Sequence, residues 1–393
     1  MSSLLWSIGQ FCGVVAFFLL SFLIFSGDTA RFWNRFIGLD KIIKFQKKFS
    51  YFVAVFVLLH PLFFIISRSD IADFMLPDFS VLPLALGIVA FYIFISVMVA
   101  SALYKLISYK AWQYIHVLTY FLFFFVLYHA FAWGSDVDDL KIPYFITLLF
   151  VLVGIIYRTQ YKLKNLKGRQ FKVVGITRET PDTFTITLSS EKRFNFQPGQ
   201  FCFLRINKNK LYARHPFTIS SAPHEDVISF TIKIAGRFTK TAEALQKGDE
   251  VLVDGPFGKF IPKEEGGLVF IAGGVGITPF LSVLKDRIRR NIKQKIILFY
   301  SSKKESDIIF KKDLDQINED WFRVIYILRG DSHPSFESEN GYIDEEMLAK
   351  YIKNPEEFSY YICGPEKMKS SMWNILKKIG VKSKNIFTED FFW

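Results

Sequence analysis

"WQYIHVLTYFLFFFVLYHAFAW", residues 112–133, is long and apolar enough to cross a bilayer, yet it holds two histidines, His116 and His129. A third, His60, stands inside "YFVAVFVLLHPLFFII", residues 51–66. Ionisable side chains in hydrocarbon are costly, and they mark a task by default. Working outward from these stretches, the whole chain of 393 residues is 51% hydrophobic and holds 45 phenylalanines, a composition a water-soluble enzyme seldom shows. The excess is uneven. Residues 1–160 are strongly apolar, whereas residues 165–393 have ordinary soluble composition. That step predicts a membrane part followed by a globular part with room for two small domains.

Five segments are long enough to cross: about 4–25, 49–66, 81–104, 111–133 and 143–159. The segments between them alternate in charge. "RFWNRFIGLDKIIKFQKK" is basic, "SRSDIADFMLPDFS" is mostly acidic, the next short loop holds Lys105 and Lys110, "GSDVDDLK" is acidic, and "RTQYKLKNLKGR" is basic again. The excess of Lys and Arg on cytoplasmic loops predicts an N-terminus outside, five helices, and a cytoplasmic globular part. The first span has no basic n-region and no clear cleavage site, so it reads as a retained helix rather than a signal peptide. The expected location is the plasma or inner membrane, with several passes.

The net charge is +12, but the cations lie in short runs beside apolar spans rather than on one face, which argues against nucleic acid and for the lipid bilayer as partner. Three scattered cysteines, Cys12, Cys202 and Cys363, are too few for a disulfide framework or a zinc site.

On this topology the spans carrying His60 and His129 both run outward. His60 lies about 18 Å beyond Lys48 at 1.5 Å per residue, and His129 is near the outer end of its helix, so the two share a depth. Two imidazoles at one depth on separate helices suit a b-type haem; hydrogen bonding within the bundle is the plainer alternative. Gln46 lies 14 residues before His60, on the same helix face and about 21 Å away. His116 and His129 are 13 residues apart, off-face by well over 90° in an ideal helix.

"LDKIIKFQKKFSYFVAVFVLLH" together with "IHVLTYFLFFFVLYH" resembles the haem-binding core of the NADPH oxidase and ferric reductase family. That resemblance implies His60, His116 and His129 as metal ligands on two stacked haems. The fourth ligand position holds Gln46, so the outer haem has its full pair and the inner one does not. A similar three-histidine pattern occurs in the haem subunit of the bacterial methionine-sulfoxide-reductase system.

Residues 171–260 read as short strands separated by turns, which predicts a small antiparallel β-barrel. Within them stands "RHPFTISSAP", 214–223. Phe217 and Thr218 can pack on a flavin and hydrogen-bond its polar edge, and Arg214 and His215 can reach a pyrophosphate; a plain sheet edge is the other reading. The His215-Pro216-Phe217-Thr218 form resembles the family's FAD motif, and Gly236 and Thr239 in "GRFTKTAEAL" resemble its second FAD segment, opening a helix whose N–H groups suit a phosphate. "LVFIAGGVGITPFLSVLKDRI" is an apolar strand, a glycine turn and a helix, in which Gly273, Gly274 and Gly276 admit a dinucleotide and Thr278 and Pro279 open the helix. Further β/α units predict a parallel sheet with helices on both faces.

"YICGP" resembles the family's nicotinamide-side motif, with Cys363 near the hydride path and Gly364 and Pro365 beside it; a buried core cysteine is the plainer reading. Lys303 stands where the family often has a cation for the 2′-phosphate of NADPH. The chain ends "IFTEDFFW", and the family's aromatic end residue covers the flavin. Glu389 and Phe391 match that pattern, and Phe392 and Trp393 extend past it.

The domains expected are a transmembrane ferric-reductase-like haem domain at 1–163, an FAD-binding barrel at 168–261 and an NAD(P)H-binding α/β domain at 262–393. The expected function is electron transfer from cytoplasmic NADPH or NADH through FAD and haem b to an acceptor outside. The expected acceptor is O2, giving superoxide; ferric iron or an extracytoplasmic partner protein are the alternatives.

Overall fold

The structure is a computed structural model that describes residues 2–68, 71–104, 106–107, 109–134, 137–166, 169–206, 215–330 and 334–389. It divides into two compact units: Met1–Trp33 with Lys41–Leu166, and Asn34–Asp40 with Lys167–Trp393.

The first unit is helical. Its elements are α1 (Ser2–Asp28), α2 (Ala30–Ile37), which runs on into the second unit, α3 (Leu39–Arg68), α4 (Ala72–Met75), α5 (Leu82–Ala102), α6 (Tyr109–Trp133) and α7 (Val137–Leu166). Among the described residues five helices are long and apolar enough to cross a membrane: Ser3–Asp28, Leu39–Arg68, Leu82–Ala102, Ala111–Trp133 and Val137–Lys164. Helix is the form a span must take, because its backbone groups pair within the segment. α5 packs along α6 and α1 along α7. Leu20, Val53, Ala90, Phe94 and Leu122 meet at the centre of the bundle, while Phe121, Phe145, Leu149 and Ile156 remain exposed. Apolar side chains on the outside of a bundle are what lipid solvates.

The second unit holds two sheets. The first is antiparallel and built from β1 (Arg169–Thr180), β2 (Thr183–Ser189), β3 (Phe201–Ile206), β4 (His215–Thr218), β5 (Ile228–Lys233) and β6 (Glu250–Phe257), in the order β4-β3-β6-β1-β2-β5. A bridge between Ile219 and Phe230 joins the two edges of this sheet. Closure removes open edges and wraps the sheet around Phe184, Leu188, Phe230 and Val253. A short helix, α8 (Arg237–Glu243), follows β5.

The second sheet is parallel: β7 (Gly267–Gly273), β8 (Ile296–Ser302), β9 (Phe322–Leu328), β10 (Glu339–Asn340), β11 (Phe358–Cys363) and β12 (Ile386–Thr388), in the order β10-β9-β8-β7-β11-β12. Its helices are α9 (Thr278–Arg289), α10 (Lys311–Asp315), α11 (Glu345–Tyr351) and α12 (Glu366–Lys378). Buried on both faces, β7 reads as one apolar run: Leu268 and Phe270 pack with Phe280 and Tyr361 on one side, Val269 and Ile271 with Phe299 and Tyr360 on the other. The chain winds from β7 outward to β10, then returns to lay β11 against the other edge of β7. The strand order therefore reverses between β7 and β11. Ligands of open α/β sheets bind beyond the carboxyl ends of the strands at such a point.

Candidate functional site

In the helical unit, His60 of α3 and His129 of α6 face each other with ring centroids 6.2 Å apart and planes at 80°. Two imidazoles bound through Nε2 to one metal at about 2 Å hold their centroids about 6 Å apart. Each ring is oriented by its other nitrogen. His60 Nδ1 is 2.8 Å from the Gly9 carbonyl oxygen, and His129 Nδ1 is 2.9 Å from that of Pro83. A carbonyl only accepts, so Nδ1 carries the hydrogen and Nε2 keeps its lone pair for a metal. Two glycines make room: a Cβ on Gly13 would stand 2.6 Å from the His60 ring, and one on Gly87 would stand 2.7 Å from that of His129. Both histidines line an apolar cavity of about 220 Å3 with Gly13, Gly87 and Trp6. These residues fit a metal-containing group held by two imidazoles.

His116 is built differently. Its ring stacks on Trp112 with centroids 4.8 Å apart, and its Nδ1 is buried without a hydrogen-bond partner. Gln46 Nε2 donates to Ser26 Oγ at 3.1 Å. Neither residue has the carbonyl anchor of the outer pair. A buried ion pair that sequence reading missed lies in the same unit: Arg158 donates to Asp28 Oδ1 at 2.8 Å, and Tyr120 donates to the same oxygen at 2.7 Å. Charge alternation counted Arg158 only as part of a basic flank; its partner on α1 is 130 residues away.

In the second unit the two loops at the strand-order reversal touch. A Cβ on Gly276 would lie 2.2 Å from the Cys363 carbonyl oxygen, and one on Gly273 would lie 2.9 Å from both Met368 and Pro365. These two glycines let the loop after β7 pack on the loop after β11. Gly274 is the one facing open space, with φ +55°. Thr278 and Pro279 open α9 and are buried, and Lys303 follows β8 on the surface.

Glu389 lies at the heart of this region, 4% exposed. Its N–H donates to the Ile362 carbonyl at 3.2 Å. Cys363 Sγ is 3.3 Å from Oε2, and Thr218 Oγ1 is 3.2 Å from the same oxygen. The motif from β4 and the motif from β11 thus converge on one carboxyl. Burial pushes that carboxyl up to about 8, against hydrogen bonds from Cys363 and Thr218 that favour the charged form. At neutral pH it holds a proton.

His215 packs at a tilt on Phe238 with centroids 4.1 Å apart, and Phe217 stacks on the same ring at 5.9 Å. Burial pushes the His215 imidazole below its ordinary value, so it is a neutral, ring-packing group. Pro216 lies between them on β4. Thr239 Oγ1 accepts from the Gly236 N–H at 3.0 Å, which closes the first turn of α8, while the space beside Gly236 stays open. Open glycines, an aromatic platform and a capped helix start are parts a flavin dinucleotide site uses, and these residues fit FAD. Arg214, Phe391 and Trp393 lie outside the described residues.

Three protein families match in sequence along the chain: "Ferric reductase like transmembrane component" over residues 12–127, "FAD-binding domain" over 166–260 and "Oxidoreductase NAD-binding domain" over 270–373. The chain thus carries a ferric-reductase-like transmembrane component followed by FAD-binding and NAD-binding oxidoreductase domains. It is a membrane protein whose FAD and NAD domains have the ferredoxin-reductase fold. The chain is 32% identical over 169 residues to the F subunit of the Na(+)-translocating NADH-quinone reductase of Idiomarina loihiensis, covering 40% of each chain. It is 31% identical over 195 residues to the Haemophilus influenzae protein of the same name, covering 44% of this chain and 47% of the relative. The match thus spans less than half the length of these relatives. In fold, 56% of the chain superposes on 97% of a ferredoxin NADP+ reductase from Neisseria gonorrhoeae with bound FAD and NADP, at a TM-score of 0.51 and 24% identity. The FAD/NAD-binding domain of a Vibrio cholerae nitric oxide dioxygenase is similar at a TM-score of 0.52 and 21% identity, over 57% of this chain and 98% of that one.

Proposed function

We propose that this protein moves electrons from cytoplasmic NADPH or NADH, through FAD and b-type haem, to an acceptor on the opposite side of the membrane, with O2 as that acceptor. The reading takes 1–163 as the haem domain, 168–261 as the FAD domain and 262–393 as the NAD(P)H domain. The observation that carries it is the His60–His129 pair, whose rings are 6.2 Å apart with each Nδ1 tied to a backbone carbonyl. A histidine pair serving only to pack a bundle needs neither that spacing nor the clearance at Gly13 and Gly87.

When bound, FAD would supply hydride acceptance with one-electron release, and haem would supply one-electron carriage. The chain's own residues do the rest. Phe217 and Thr218 hold the flavin, with Arg214 and His215 toward its pyrophosphate end. Gly274 and the start of α9 admit the nicotinamide dinucleotide, and Lys303 faces the 2′-phosphate that distinguishes NADPH. Glu389 keeps a proton on its buried carboxyl, so hydride arrives at a site without a fixed negative charge. Phe391, with Trp393 beyond it, covers the flavin until nicotinamide arrives. His60 and His129 would hold an outer haem and His116 an inner one, with Gln46 at the fourth ligand position. Oxidation of one NADPH by two O2 yields NADP+, one proton and two superoxide ions.

Purified protein fed NADPH tests the reading. The expected results are cytochrome c reduction that superoxide dismutase abolishes, and a low-spin b-type difference spectrum at one haem or more per FAD. Ferric-chelate reduction that persists without oxygen would move the acceptor to ferric iron. Slow turnover with both would point to a protein acceptor, and absence of haem would end the reading.

A further inference from the structure

We propose that Lys369 is a positioning residue for Glu389, gripping the main chain of that residue and setting the pH at which its carboxyl loses its proton. This rests on the reading of Glu389 as the proton-holding group of the nicotinamide site.

Lys369 is 6% exposed. Lysine is almost never buried unless paired, because its ammonium is strongly hydrated in water. Its Nζ donates to the Glu389 carbonyl oxygen at 3.0 Å and lies 2.8 Å from Glu366 Oε2, a carboxylate that is three-quarters exposed. The cation is therefore held from inside the fold as well as from its own helix. A lysine placed only for solubility or helix charge would leave its head group in water.

The sequence that makes the grip is short. β11 ends at Cys363, whose thiol lies on Glu389 Oε2. α12 starts at Glu366, and Lys369 is one turn in, on the same face as Glu366. β12 runs parallel to β11, with Ile362 opposite Thr388, and the Glu389 N–H closes on the Ile362 carbonyl. The β11–α12 segment thus holds Glu389 at its amide, its carbonyl and its carboxyl.

Among the described residues, few groups act on the Glu389 carboxyl. Cys363 on β11 and Thr218 on β4 donate to it, Lys369 acts on it from α12 with Glu366 behind, and Asp40 acts on it from the start of α3. Lys369 is the cation among them, and it opposes the effect of burial and of Asp40. Removing it raises the pH at which Glu389 ionises.

The experiment compares Lys369→Met, Lys369→Gln, Lys369→Arg and Glu389→Gln in the full chain. Two quantities are followed across pH 5–10: the rate of anaerobic flavin bleaching by NADPH, and the melting temperature. In the native protein the rate should fall as pH rises through the Glu389 ionisation, and the melting temperature should decline over the same range. Lys369→Met and Lys369→Gln should move both midpoints upward. Lys369→Arg should leave them near the native position. Glu389→Gln should abolish both. Loss of both in Glu389→Gln with no movement in Lys369→Met or Lys369→Gln overturns the role of Lys369 alone. Persistence of both in Glu389→Gln overturns the reading of Glu389 itself. If Lys369→Met does not fold, Lys369→Gln keeps a neutral donor for the Glu389 carbonyl and decides the matter.

Discussion

In the proposed function His60, His129 and Glu389 carry most of the chemistry. His60 and His129 owe their orientation to the carbonyls of Gly9 and Pro83. His60→Ala and His129→Ala should each abolish a low-spin haem signal while FAD content stays at the native level; full haem in either variant would show that the pair does not share a metal. Glu389 owes its proton to burial. Its carboxyl ionises near pH 4.5 when free and near 8 in the fold, so the folded chain binds the extra proton between those values. Stability from this group is complete below the lower value and is lost as pH rises to the upper one, by at most about 1.4 kcal/mol per pH unit. Glu389→Gln should flatten that decline in a series of denaturant titrations from pH 5 to 9.

At the scale of elements, the decisive feature is how closely two loops approach. β7 and β11 are neighbours because the chain reverses its strand order between them, and both end in glycine-bearing turns. Gly276→Ala would force a methyl to within 2.2 Å of the Cys363 carbonyl oxygen, a backbone atom that cannot swing aside. The expected cost is about 1–3 kcal/mol in unfolding, as for other overpacked sites, with nicotinamide affinity falling more than FAD content. Equal loss of both would mean that the loop serves the barrel as much as the parallel sheet. By contrast Gly274→Ala meets no neighbouring atom, and its strain comes from φ +55° alone.

The whole molecule consists of two units, one with His60, His116 and His129 and one with the two sheets. Deletion of residues 391–393 should therefore alter the flavin absorption spectrum and the affinity for NADPH but leave the haem spectrum unchanged. A haem spectrum that changes with this deletion would show that the tail acts beyond the nucleotide-binding unit.

The sequence by itself determined the order of parts. Runs of about twenty apolar residues dictate helices in lipid, and strand–glycine–helix patterns dictate β/α units, because both follow from local periodicity and backbone satisfaction. Five spans, a closed antiparallel sheet and a parallel sheet were legible in that way, as were the histidines, whose charge cost in hydrocarbon makes them conspicuous. Only tertiary structure decided what those residues touch. The carbonyls that orient His60 and His129, the pairing of Asp28 with Arg158, and the grip of Lys369 on Glu389 join positions 20 to 130 residues apart. A lysine in an amphipathic helix and an aspartate at a helix end look like ordinary surface charges in sequence. Their burial is a property of packing, which a one-dimensional pattern does not encode.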